Sequence, residues 1–139
     1  MSEVSELYII RDYRDDDLDF VRSTFLKGLY HGDSWFSLIP RSIFMKNYFP
    51  VINAMIKSPN NQIKIACLKD SDDVILGFSM MSKNFEILHW VFVKAAWRKQ
   101  GIGRSLLPAL PKTVSHLNKL GLILYKKFPD CIFNPFNIV

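Results

Sequence analysis

Apolar and polar positions alternate through the middle of the chain. Gln62-Ile63-Lys64-Ile65-Ala66-Cys67-Leu68 changes sign almost residue by residue and predicts a strand. Lys69 to Asp73 is a polar turn, Val74 to Met81 a second strand, Ser82 to Asn84 another turn, and Phe85 to Val93 a third strand. Three strands joined by short polar turns predict an antiparallel meander. The third is apolar on both faces from Trp90 to Val93, so its far end is expected to be buried.

The flanks read differently. Leu7 to Ile10 has strand composition, and Asp15, Asp16 and Asp17 offer N-caps to a helix from Asp15 to about Tyr30. Leu18, Val21, Phe25 and Leu29 give that helix one buried stripe. Arg41 to Lys57 reads as a helix in two pieces, because Pro50 lacks the N–H an unbroken helix needs. After Val93 a helix is expected to begin near Gly101 and run through Arg104, Leu106 and Leu107, shortened or kinked by Pro108 and Pro111. Thr113 to Leu117 then predicts a strand, Asn118 to Phe128 a helix, and Cys131 to Phe133 a last strand. The order strand, two helices, three strands, helix, strand, helix, strand predicts an α+β fold. Its sheet is mixed but mainly antiparallel, with helices flanking it, and residues 1–139 form one domain.

Composition narrows the classes. The hydrophobic share of 49%, with 11 Phe, 3 Trp and 5 Tyr, suits a packed core and excludes a disordered chain. The longest apolar runs are too short to span a bilayer, and Met1 to Glu6 lacks the basic and apolar parts of a signal peptide, so a cytoplasmic protein is expected. Cys67 and Cys131 have no metal-ligand spacing, and no metal is expected. The net charge of +5 is uneven, with Lys94, Arg98, Lys99, Arg104 and Lys112 crowded around one motif. That pattern fits a phosphate-rich ligand or a nucleic acid. The aromatic residues interleave with apolar rather than basic ones, which gives no stacking platform for bases.

The motif is Trp97-Arg98-Lys99-Gln100-Gly101-Ile102-Gly103-Arg104, between the apolar strand and the helix that follows. Backbone N–H groups at a helix start have no carbonyl to bond, which makes them an anion site. Gly101 and Gly103 allow a phosphate to approach the backbone, and Arg98, Lys99 and Arg104 add charge.

The stretch from Val91 to Leu107 resembles the central motif of the GCN5-related N-acetyltransferases, with Trp97, Arg98, Gly101 and Gly103 in the family's aromatic, basic and glycine slots. A second resemblance lies in Asn118-Lys119-Leu120-Gly121-Leu122-Ile123-Leu124-Tyr125, similar to the family's later helix. The resemblance implies an acetyltransferase using acetyl-CoA. The amides from Arg98 to Arg104, Lys99, Gln100 and Ile102 included, would cradle the pyrophosphate. Val91 and Val93 would offer backbone groups to the pantetheine arm. Asn118 would contact the cofactor, and Tyr125 would protonate the departing thiolate. The family's seventh strand is expected to be missing, since the chain ends soon after Phe133.

Transfer to an amine also needs a base. Glu86 and His89 lie on the strand that leads into the motif; three apart, they are expected on opposite faces. Glu86 fits the strand carboxylate of the family this chain resembles; His89 is equally read as a packed histidine, and His116 ranks last, a sheet-face side chain being its more ordinary reading. The acceptor is a primary amine on a small molecule, a protein or a nucleobase, and a homodimer is left open. Size and basic character are also similar to small acetyltransferase-like proteins of phages, some of which modify DNA while others are virion or assembly components. That similarity keeps a catalytically degenerate, structural role as the alternative.

Overall fold

The computed structural model describes residues 7–32, 36–116, 126–127 and 130–135. Strand β1 (Tyr8–Asp12) leads through a 3-10 turn at Asp15–Asp17 into helix α1 (Leu18–Gly32). A second 3-10 turn at Phe36–Leu38 precedes helix α2 (Arg41–Lys57). The meander follows as β2 (Asn61–Leu68), β3 (Ser71–Ser82) and β4 (Ile87–Val93). A 3-10 turn at Ala95–Trp97, a one-turn helix α3 (Ile102–Ser105) and the short strands β5 (Thr113–Val114) and β6 (Ile132–Phe133) complete the described elements. They form one mixed sheet in the order β1-β2-β3-β4-β5-β6, antiparallel up to β4 and parallel from β4 through β6.

The acid run at the start of α1 does not cap it as expected. Asp17 turns inward, its carboxylate taking two bonds from the Arg11 guanidinium (2.8 and 2.9 Å) and one from the Arg14 N–H (2.7 Å). Burial alone would raise the Asp17 pKa, but the Arg11 and Arg14 bonds outweigh it and hold the carboxyl below its usual range. The regular α-helix therefore begins at Leu18.

Pro50 does not split the second helix. α2 runs unbroken through it, with Phe44 on one side of the proline and Ile52 and Met55 on the other buried in the same core. Tertiary packing of both halves outweighs the lost N–H bond, and Pro50 itself faces solvent.

The sheet has two covered faces. On one, α1 and α2 press Val21, Phe25, Leu29, Phe44, Ile52 and Met55 onto Ile63, Ile65, Phe78, Met80 and Trp90. Phe25 stacks on the Trp90 indole (4.5 Å between centroids, 16° between planes). Gly28 makes that fit possible, since a Cβ there would stand 2.7 Å from the Trp90 ring. On the other face, Ile102 and Leu106 cover Leu76, Leu88, Val91, Val93 and Val114. The helix carrying them is shorter than expected, ending at Ser105.

The alternation of β4 is interrupted. Met80 pairs with Trp90 but Met81 with Leu88, so a bulge falls at His89. Leu88 and Val91, three apart, thus pack in one cluster, and counting by twos fails across this strand. The alternation still holds up to His89, since Leu88 packs on the α3 side while His89 bonds Asn61 on the helix side. Glu86 lies before β4, which starts at Ile87. The strand expected at Thr113 to Leu117 is paired only at Thr113–Val114, and the last strand begins at Ile132 rather than Cys131. The predicted helix from Asn118 to Phe128 lies almost wholly outside the described residues, as does anything after Pro135, where a seventh strand would be sought.

Candidate acyl-CoA site at the fork between β4 and β5

β4 and β5 diverge. Their register covers Ile87↔Thr113 and Leu88↔Val114, and the Ser115 N–H still reaches Leu88 O (3.0 Å). β4 continues for five more residues, His89 to Val93. On its other side it stays paired with β3 as far as Gly77↔Val93. The Lys94 N–H donates to Leu76 O (2.8 Å), so by the alternation of an antiparallel ladder Phe92 and Lys94 turn their backbone groups toward β3. Val91 and Val93 turn theirs to the fork, while their side chains are buried in the α3-side cluster.

The turn carrying the glycines follows at the open end. Gly101 has φ +84°, the left-handed region that suits glycine, and an added Cβ there would meet nothing within 4 Å. Lys99 also has positive φ (65°). The Ser105 N–H donates to Gly101 O (3.0 Å), closing the single turn of α3. The amides of Gln100, Gly101, Ile102, Gly103 and Arg104 precede it and are the orphan donors of a helix start. With only one turn behind them, their pull on an anion comes from the N–H groups and neighbouring cations rather than from a helix dipole.

The fold divides the basic cluster. Lys112 lies at the paired end of β4, 3.8 Å from Glu86. Lys94 stands over the Phe20 ring (5.4 Å). Arg98, Lys99 and Arg104 remain exposed at the turn. The Arg98 Nε–H donates to Val93 O (2.8 Å), which pins the guanidinium to the end of the strand. Ser105 Oγ holds the turn against β1 through Tyr8 OH (2.9 Å).

The candidate bases are placed apart. Glu86 is half exposed, and its carbonyl accepts the N–H groups of Lys112 and Thr113 (2.8 and 3.0 Å). Glu86 and the glycine turn thus stand off opposite ends of β4, about 20 Å apart for a strand of this length. His89 is fully buried, with Nδ1 2.7 Å from Ser115 Oγ and Nε2 3.1 Å from Asn61 Oδ1. His116 is buried beside it, Nδ1 3.0 Å from the same hydroxyl, its ring edge-on to Phe25 and Tyr48. Burial, then the neighbouring His116, pushes His89 down to about 4, and burial pushes His116 down to about 4. Asn61 and Ser115 were not singled out in the sequence; nothing in their local pattern marks them. Tyr125 and Asn118 lie outside the described residues. Among the described residues no cluster of His, Cys, Asp and Glu could hold a metal, and no helix is long and apolar enough to cross a membrane.

No family model and no curated protein matches the sequence. Solved structures do match. A protein of Pyrococcus furiosus assigned as an acetyl transferase superposes with a TM-score of 0.62 at 13% identity, over 86% of this chain and 90% of that one. The structure of AAC(6')-Iy in complex with the bisubstrate analog CoA-S-monomethyl-acetylneamine gives 0.51 at 17% identity, over 86% of each chain. A protein of Clostridium difficile 630 assigned as an acetyltransferase gives 0.50 at 14%, over 93% of this chain and 78% of that one. The chain therefore has the mixed α+β fold of the GCN5-related N-acetyltransferases.

Proposed function

We propose that this protein is an acetyl-CoA-dependent N-acetyltransferase that acts on a primary amine. The observation that carries the reading is the fork. β4 and β5 part beyond Leu88, and the glycine turn, with Gly101 at a left-handed φ and the amides of a helix start, stands at the open end. An extended pantetheine arm would lie in the gap between the two strands. Phosphates would then lie on the amides of Gln100 to Arg104, neutralised by Arg98, Lys99 and Arg104. The thioester would point along β4 toward the bulge at His89. AAC(6')-Iy, which shares the fold, is solved with a CoA bisubstrate analog, and this supports an acyl-CoA as the ligand class.

In this reading the amine nitrogen attacks the thioester carbonyl carbon, and the C–S bond breaks. Tyr125 gives the thiolate its proton and Asn118 holds the cofactor, as the resemblance of their segment implies. The acceptor is any primary amine that reaches the fork.

Titration with acetyl-CoA, followed by calorimetry and melting temperature, tests the reading beside a Gly101→Glu/Gly103→Glu variant. Micromolar binding is expected, with a rise in Tm by mass action, and both should vanish in the variant. No binding at millimolar acetyl-CoA would overturn it.

A further inference from the structure

Four polar side chains cross the molecule beneath the fork, and their bonds can run in only one direction. Met55 O is a backbone carbonyl and can only accept, so the Asn61 atom facing it at 3.0 Å is the amide nitrogen. Asn61 Oδ1 is then the atom 3.1 Å from His89 Nε2, which must carry a proton to donate. A neutral imidazole has one N–H, so His89 Nδ1 is a lone pair and takes its 2.7 Å bond from the Ser115 hydroxyl. Ser115 has spent its only proton, so its oxygen accepts from His116 Nδ1–H at 3.0 Å. The chain therefore runs His116 to Ser115 to His89 to Asn61 to Met55, each member donating to the next. It leaves His116 Nε2 as an unprotonated lone pair.

That free end has a particular place. His116 lies two residues past the end of β5, just after Ser115 makes the last bond to β4. Its ring lies on the α1 and α2 side of the sheet, against Phe25 and Tyr48. The glycine turn and α3 pack on the opposite face. A thioester entering from the turn would meet an amine from the helix side at the level of the bulge. His89 and Tyr48 are the titratable groups packed around His116, both neutral where His116 is neutral.

We propose that His116 Nε2 accepts the proton of the acceptor nitrogen, with Ser115, His89 and Asn61 as positioning residues that hold it in the Nδ1–H tautomer. The inference rests on the acetyltransferase reading given above. As the C–N bond forms, the attacking nitrogen loses basicity, and its N–H proton passes to His116 Nε2. Tyr125 protonates the thiolate, and each then exchanges with solvent. Amine and thioester become amide and thiol with no net proton.

Two measurements test it. Long-range proton–nitrogen spectra of histidine-labelled protein, assigned with His89→Gln and His116→Gln, should show the Nδ1–H form for His116 and the Nε2–H form for His89. A proton on His116 Nε2 at neutral pH would overturn the proposal without touching the acetyltransferase reading. Rates are then measured with acetyl-CoA and a panel of spermidine, an aminoglycoside, a lysine peptide and a peptide with a free α-amine. His116→Gln should lower kcat at least about 100-fold, the range of a lost general base, with acetyl-CoA affinity unchanged. Ser115→Ala should lower kcat by a smaller factor and mix the His116 tautomers, and it serves where His116→Gln fails to fold. Wild-type turnover that survives in His116→Gln would overturn the proposal alone. Absence of acetyl-CoA binding by the wild type would remove both.

Discussion

The two faces of β4 are built to different standards. Toward α1 and α2 the strand meets helices of 15 and 17 residues, a stacked Phe25–Trp90 pair and a hydrogen-bonded chain of buried polar groups. Toward α3 it meets four residues of helix and an aliphatic cluster, with exposed cations beyond. The first face is packed with rings and aliphatic side chains, with Trp90 Nε1 unbonded and the His116 Nε2 lone pair at the end of the polar chain. The second leaves backbone donors open at the turn. A rigid wall on one side and a glycine turn ringed by cations on the other suit a long, phosphate-bearing ligand.

Acid should break the filled face first. His89 and His116 are held down at about 4 by burial, against an ordinary 6.5. The unfolded chain thus binds more protons between these values, and stability falls as pH drops from 6.5 toward 4. The two together should cost on the order of 3–5 kcal/mol in chemical denaturation at pH 4 relative to pH 7. His89→Gln and His116→Gln should each flatten that slope.

Truncation compares the faces directly. Trp90→Ala should lose about 4 kcal/mol, and Ile102→Ala about 2 kcal/mol, in urea unfolding. Equal losses would mean that the α3 side is as tightly packed as the helix side. The smallest effects come from the glycines. Gly28→Ala, pressing a methyl on the Trp90 indole, should cost about 1–3 kcal/mol. Gly101→Ala, strained only by its φ, should cost about 1 kcal/mol and be felt more in acetyl-CoA binding than in stability.

Much of this plan is legible in the chain. The alternation from Gln62 to Val93 specifies the meander, because one buried face forces a period of two. The glycine turn is legible because Gly101 needs a left-handed φ. The bulge at His89 is not, since nothing in Leu88-His89-Trp90 distinguishes a bulged run from a regular one. That single extra residue breaks the count beyond His89, so that Leu88 and Val91, three apart, share one face. Pro50 misleads in the opposite way, since a local rule yields to burial on both sides of it. The hydrogen-bond chain joins residues 55, 61, 89, 115 and 116, and such long-range pairing leaves no periodic trace in the sequence.

The strand order has a consequence for how the molecule is made. Each strand of the sheet lies beside its predecessor in the chain. A ribosome would therefore release the described strands in the order in which they dock, β1 alone waiting through two helices for its partner. Such a topology favours quick assembly and few trapped intermediates. The fork at β5 is the exception, because it closes against a strand already in place and does so over two residue pairs. The half that carries the fork would be the last to form and the first to open, so the amides of β5 should exchange before those that join β4 to β3.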